Sequence, residues 1–179
     1  MKKFVLLVLI IFMVSSVSFA FEKNGMFHFG FGIKNLSLDI PGEDSATLYG
    51  GEIGFNNALV KADYGNLDMI FNIGYYVGSD DVGYSKDVSI NDTVGEFGIG
   101  YSKLLLNDSL ILKAGILGGY EYVSFDGDGE DGFIYGLSGD IAYKVNASMF
   151  LGVNAKVMKS SNDVIDKTLT YNATLTFLF

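Results

Sequence analysis

The residues of this sequence that could do chemistry are charged side chains spaced along runs of alternating polar and apolar residues. Charged groups inside a protein must be paired or hydrated. If these runs enclose one interior, the charges form either a network of salt bridges that fills it, or a gate whose ion pairs exchange partners and open a small ion path. Asp68 and Lys144 also lie on the polar side of such runs. The main candidates are Lys34, Glu52, Glu96, Lys113, Glu121, Asp140 and Lys156.

Catalytic chemistry has little support in the sequence. There is no cysteine, which excludes thiol chemistry, disulfide bonds and cysteine metal sites. His28 is the only histidine. A hydrolytic site needs a base beside a nucleophilic serine, whereas a lone histidine early in a run fits a hydrogen-bonded interior residue. We therefore expect no catalytic residue and no enzyme activity.

The acidic run DGDGEDG at residues 126–132 suggests calcium. An EF-hand loop needs glycine at its sixth position and glutamate at its twelfth. Counted from Asp126, those positions hold Asp131 and Leu137, so the motif fails. The run predicts a hydrated acidic loop, and we expect neither a metal site nor a cofactor.

The first twenty residues differ in kind from the rest of the chain. Two lysines precede an apolar stretch of eleven residues, and small residues at 18 and 20 supply a cleavage site. This pattern predicts a secretory signal peptide over residues 1–20 and one domain over residues 21–179. The formal net charge is −9 and arginine is absent. Nucleic-acid binding needs a basic surface, so we expect no nucleic-acid partner.

Eight runs with a period of two residues organise the domain. This period indicates β-strands with one apolar and one polar face. The connections are short at one end and longer and acidic at the other, which predicts an all-β, eight-stranded antiparallel up-and-down barrel. Residues 56–66 leave alternatives open: an extension of the second strand past a bulge, an irregular turn, or an extra hairpin that would make ten strands. The runs lie near residues 27–34, 49–55, 67–76, 96–102, 110–122, 133–144, 148–157 and 168–179.

The composition of the two faces predicts which one is inside. The apolar face carries Phe, Tyr, Leu, Ile and Val, more bulk than a small closed interior could hold, while the glycine-rich polar face suits a crowded lumen. Strands of about 11 residues tilted by about 40° give a height of about 28 Å, which matches the apolar band of a membrane barrel. We therefore predict a transmembrane β-barrel. A secreted lipocalin-like barrel, which buries its apolar face, is the alternative.

The end of the chain carries a resemblance to a known family. The final residues TYNATLTFLF, with the signal peptide and the eight runs, resemble the small bacterial outer-membrane β-barrel proteins, the group that includes the membrane domain of outer-membrane protein A. The resemblance implies a monomer in the cell outer membrane, in contact with outer-membrane lipid and lipopolysaccharide. It also implies that the last strand is read by the barrel assembly machinery, with Tyr171, Phe177 and Phe179 at the matching positions.

Together these inferences predict a structural or envelope-associated protein whose lumen is closed by salt bridges or barely conducts. A small ion-conducting pore gated by the lumen charges is an alternative function, and the secreted ligand-binding barrel is another. Distances along the strands predict which charges lie near one another. The expected groupings are Lys34 near Glu52, Lys113 near Asp140, and Lys156 with Glu96 and Glu121 across the lumen.

Overall fold

Residues 25–40, 43–82 and 85–179 are described by a computed structural model. Each strand pairs antiparallel with the next, and the first also pairs with the last, so the sheet closes into a barrel. This confirms the predicted eight-stranded antiparallel up-and-down barrel, while the predicted signal peptide lies outside the described residues. No helix within the described ranges is long and apolar enough to span a membrane. The strands are β1 (Gly25–Ile40), β2 (Glu43–Ala62), β3 (Gly65–Val82), β4 (Ser85–Leu105), β5 (Leu110–Phe125), β6 (Asp128–Lys144), β7 (Met149–Ser160) and β8 (Ile165–Leu178).

The segment at residues 56–66 extends the second strand. The pairing of β2 with β3 shifts register between Ala58 and Val60, and a two-residue turn then leads into β3. Gly65 begins β3 with a φ of +144°, and an added Cβ there would lie 2.3 Å from the hydroxyl oxygen of Tyr101. Glycine is therefore required at this turn. Of the alternatives for this segment, the extension past a bulge is observed, and the barrel has eight strands rather than ten.

The acidic segments at the other end of the barrel are largely strand. Pairing between β3 and β4 continues to Val82 and Ser85, and pairing between β5 and β6 continues to Phe125 and Asp128. These segments are longer than the turns at the opposite end, as expected, but they form hairpins rather than loops. We call this the long-hairpin end and the opposite one the short-turn end.

The side chains alternate between the two faces of the barrel wall. Phe31, Ile116 and Leu137 point outward and are 61–71% exposed, whereas Lys34 and Asn172 point inward and are 2% exposed. The bulky apolar face is therefore outside and the glycine-and-charge face is inside, which is the arrangement predicted from the composition of the two faces.

Close contact between neighbouring strands explains part of the glycine content of the inner face. An added Cβ at Gly32 would lie 1.8 Å from the carbonyl oxygen of Tyr171, and one at Gly136 would lie 1.9 Å from that of Val157. No larger residue fits these positions without moving the adjacent backbone. The narrow lumen thus depends on glycine where the strands twist past each other.

Candidate functional site

The structure places all seven predicted lumen charges on the inner face of the barrel. Six of them are buried, and the side chain of Asp140 is 11% exposed. His28, Asp68 and Asp92 also point inward and are buried. Lys144 points inward at the short-turn end, where it is partly exposed and its Nζ lies 5.9 Å from the centroid of the buried Phe150 ring. Apart from Lys144, the described lumen holds six carboxylates around three lysines, and each of these three lies close to carboxylates from other strands.

The first ion cluster centres on Lys156 of β7. Its Nζ forms ion pairs with Glu52 of β2 and with Oε2 of Glu96 of β4, the latter at 2.6 Å. Asn72 donates a hydrogen bond from Nδ2 to Oε2 of Glu96 at 2.9 Å, and Nε2 of His28 lies 3.6 Å from Oε1 of Glu52. One ammonium group thus joins three strands across the lumen. His28 therefore belongs to this cluster and lies in the lumen.

The second ion cluster centres on Lys34 of β1. Its Nζ forms ion pairs with Asp92 of β4 and with Oε1 of Glu121 of β5, the latter at 2.5 Å. It also lies 5.7 Å from the centroid of the Tyr76 ring, within range of a cation–π contact. This cluster bridges strands on opposite sides of the barrel.

Two of the expected groupings differ from the structure. Lys34 does not pair with Glu52, because Lys34 is opposite Leu48 in the β1–β2 register while Glu52 is opposite Gly30. The two residues are on neighbouring strands, but Glu52 lies four residues along β2 from the partner of Lys34. Glu121 contacts Lys34 rather than joining Lys156.

Asp92 was missed by the sequence analysis. The segment that contains it was assigned to the long connection after the third strand, whereas the structure has it within β4. Its position could have been found by counting back from Glu96 in steps of two residues, because alternate residues of β4 face the lumen. Its side chain is fully buried.

The third ion cluster lies near the short-turn end. Nζ of Lys113 is 3.3 Å from Oδ1 of Asp140, its direct neighbour in the β5–β6 register. Asn154 donates a hydrogen bond from Nδ2 to Oδ2 of Asp140 at 3.0 Å. Asp68 is buried nearby and interacts electrostatically with Lys113. The expected neighbours Lys113 and Asp140 are thus in contact.

Apolar side chains fill both ends of the described lumen, which the sequence analysis did not anticipate. At the short-turn end, Phe150 is fully buried among Met26, Ile111 and Ala142, with Leu178 against them. At the long-hairpin end a larger cluster packs inside the extended strands. Its members with no exposed surface are Leu36, Ala46, Leu48, Ile90, Val123 and Ile165. The same cluster continues beside the ion clusters through Ile70, Val94 and Leu117. We call the apolar groups at the two ends of the lumen the short-turn plug and the long-hairpin plug.

The outer surface carries a belt of large apolar side chains. Phe97, Ile99 and Leu151 are half exposed or more, and tyrosines such as Tyr49 and Tyr143, 63% and 61% exposed, lie toward the two ends of the strands. A contiguous apolar surface of this extent marks contact with a membrane or another apolar partner. Aromatic residues at the margins of such a belt are typical of membrane interfaces.

Comparisons with known proteins bear on this geometry. The barrel superposes on neisserial surface protein A with a TM-score of 0.65 at 11% identity, covering 88% of this chain and 98% of that one. It superposes on the outer membrane protein OprG from Pseudomonas aeruginosa with a TM-score of 0.56 at 15% identity, covering 88% and 97%. This chain has the fold of small outer-membrane β-barrels. The Yersinia pestis outer membrane protein Ail in a phospholipid bilayer nanodisc gives 0.50 at 13% identity, covering 87% and 100%.

These likenesses concern the fold. Neither a protein-family model nor a curated protein sequence matches the chain. No group of three or more histidine, cysteine, aspartate or glutamate side chains in the described ranges has the geometry of a metal site. The chemistry of the site must therefore be argued from this chain's own residues.

The residues of the predicted assembly signal lie along the seam that closes the barrel. Phe179 exchanges backbone hydrogen bonds with Gly25, each at 3.1 Å, and its ring lies 6.1 Å from that of Phe55. Phe177 packs edge-on against Phe29 with the ring centroids 6.5 Å apart, and Tyr171 points outward, 48% exposed. The outward position fits recognition from the lipid side. Their role as a signal for the assembly machinery stays a prediction.

Proposed function

We propose that this protein is an integral outer-membrane β-barrel with a closed lumen and a structural or envelope-associated role. The observation that carries the proposal is the placement of charge and bulk. At the level of the apolar belt, charged side chains such as Lys34, Glu52 and Lys156 are buried inside, while large apolar side chains stand outside. The secreted lipocalin-like alternative requires the opposite arrangement, because its apolar face must be kept from water.

The outer membrane is the location that the fold and the sequence support together. A bilayer gives the belt an apolar solvent, and only closed barrels and helices satisfy all backbone hydrogen bonds there. The predicted signal peptide provides export, and two barrels of the same fold are named as outer membrane proteins. The partners we propose are outer-membrane lipid and lipopolysaccharide, and the barrel assembly machinery during biogenesis. A closed sheet has no free edge within the belt, which favours a monomer.

The lumen is proposed to be closed for two reasons. A hydrated ion path needs a continuous polar lining, whereas the ion clusters here are flanked by apolar plugs at both ends. The lysines also fill the middle of the lumen, since each reaches across to carboxylates of other strands. No catalytic step is part of this proposal.

Cell fractionation checks the location. The protein expressed in a two-membrane bacterium is expected in the outer-membrane fraction, and the purified barrel is expected to change its gel mobility on boiling, because a closed barrel resists detergent unfolding. Recovery as a soluble monomer without detergent would contradict the proposal and favour the secreted ligand-binding barrel.

A small gated ion path is the second candidate. Lys34 and Lys156 each contact two carboxylates on different strands. An ammonium group with two partners can exchange one for the other, which is what a gate made of ion pairs requires.

Conductance in planar bilayers separates the closed barrel from the gate. We expect no measurable current from the unaltered protein. If the ion pairs form a gate, Glu52→Ala or Lys34→Ala opens a current, whereas a Lys61→Ala control on the outer surface does not. No current in any of these forms contradicts the gate, and a steady current from the unaltered protein contradicts the closed lumen.

A further inference from the structure

Two lysines stand side by side on the outer surface of the barrel. Lys159 of β7 and Lys167 of β8 are direct partners in the antiparallel register, and both are exposed. Residues directly opposite each other have Cβ atoms about 5 Å apart, and like charges there repel. The repulsion is relieved if an anion binds between the two ammonium groups.

The lysine pair lies at the margin of the apolar belt near the long-hairpin end. Tyr135 of β6 is the register partner of Lys159 on its other side, and Phe133, one step further along β6, is 70% exposed. Ser37 of β1 is the register partner of Lys167. Exposed aromatic side chains are typical of the depth at which lipid headgroups lie. The lysine pair and Ser37 are therefore at headgroup depth on the outer surface.

No other lysine shares this position among the side chains that the structure describes. The outward-facing Lys61 and Lys103 lie near the short-turn end. The chain as a whole is acidic, with a net charge of −9, so an anion near the long-hairpin end is repelled by most of the surface and attracted to this pair.

Among the ion pairs of the described residues, one places a carboxylate in competition for the lysine pair. Oδ1 of Asp166 lies 3.8 Å from Nζ of Lys159, and both side chains are about 60% exposed. A solvent-exposed ion pair of this kind is weak. It balances one of the two positive charges and leaves the other free for an anion.

We propose that Lys159 and Lys167 bind the phosphate group of a lipid headgroup in the adjacent leaflet, with the Ser37 hydroxyl as an additional donor. The inference rests on the proposed membrane location and deepens it by naming a lipid contact. Lysine ammonium groups bind phosphate as point charges. A phosphate monoester carries more charge than a diester, so it is the preferred headgroup chemistry.

The experiment uses the full chain folded in nanodiscs of phosphatidylcholine. Spin-labelled phosphatidic acid, which has a monoester phosphate, is compared with spin-labelled phosphatidylcholine for association with the barrel surface. We expect a preference for phosphatidic acid that falls by roughly tenfold in Lys159→Gln/Lys167→Gln. The matched Lys61→Gln/Lys103→Gln variant keeps the preference, and Asp166→Asn strengthens it.

Folding is checked first in every sample by the mobility shift on boiling. Absence of a folded barrel in the nanodisc would therefore count against the proposed function, and not against the lysine pair. An equal preference in the Lys159→Gln/Lys167→Gln variant and the unaltered protein would overturn the inference. Inorganic phosphate is then added at constant ionic strength. A preference that persists when phosphate is in large excess over the labelled lipid supports a lipid headgroup, whereas its loss at phosphate concentrations below that of the labelled lipid would show that soluble phosphate binds more tightly and would overturn the assignment to a lipid.

Discussion

Lys156→Met is expected to lower the free energy of unfolding by about 3–5 kcal/mol, because it leaves two buried carboxylates without their counter-charge. Lys156 is 2% exposed and forms ion pairs with both Glu52 and Glu96. Methionine has a similar length and preserves the packing of the methylene chain. The measurement is denaturant-induced unfolding of the barrel in lipid vesicles, followed by the mobility shift and by tyrosine fluorescence.

Two comparisons isolate the electrostatic cause. Lys61→Met, which removes an exposed lysine from the outer surface, is expected to change the free energy of unfolding by about 0.5 kcal/mol or less. Adding Glu52→Gln and Glu96→Gln to Lys156→Met removes the unpaired charges and is expected to restore most of the loss. A Lys156→Met variant as stable as the unaltered protein would show that Lys156 is not the shared counter-charge of the lumen.

Leu48→Ala is expected to destabilise the barrel by about 2–5 kcal/mol, since it opens a cavity in the long-hairpin plug. Leu48 has no exposed surface and packs among apolar residues from other strands. Leu59 on the same strand is 54% exposed on the outer face, so Leu59→Ala is the matched control and is expected to cost clearly less. The same unfolding assay in vesicles measures both.

The contrast between the two leucines tests the interior packing at the long-hairpin end. An equal loss for Leu48→Ala and Leu59→Ala would mean that the extended strands enclose no packed apolar core. A closed lumen would then depend on the ion clusters and the short-turn plug, and Leu48→Ala would be expected to have no influence on conductance.

The fold could be read from the sequence because the period of two persists along every strand. In β8 the outward set includes Tyr171 and Phe177 and the inward set includes Thr170 and Thr174, as the alternation indicates. Lys113 and Asp140 could also be placed together, because they are nearest neighbours on adjacent strands. Local pattern is sufficient for features of this kind.

Contacts across the lumen could not be read in the same way. Which of Glu52, Glu96 and Glu121 meets Lys34 or Lys156 depends on the tilt and stagger of the strands around the whole barrel. The tilt and stagger are set by the closure of the whole sheet, so they cannot be derived from the sequence of a single strand. The expected grouping of Glu121 with Lys156 failed for this reason, since Glu121 contacts Lys34 instead.

The long-hairpin plug was missed because apolar side chains do not face the same way along the whole barrel. Within hydrocarbon, apolar residues face out. Beyond it, water surrounds the wall and apolar residues such as Val88 and Ile90 face in, while Asp87 and Ser89 face out. The alternation continues unbroken through this inversion. An acidic segment with inward apolar residues therefore resembles a loop when only the membrane rule is applied, and Asp92 was misplaced with it.

The orientation of the two faces is tested most directly by quenching of single tryptophans with lipids brominated along their acyl chains. The chain has no tryptophan, so each variant carries one probe. Phe97→Trp and Ile116→Trp place it on the outer belt, and Tyr76→Trp places it inside, where Tyr76 is 1% exposed. We expect strong quenching at positions 97 and 116 and weak quenching at position 76. Stronger quenching at position 76 than at the two outer positions would contradict the account.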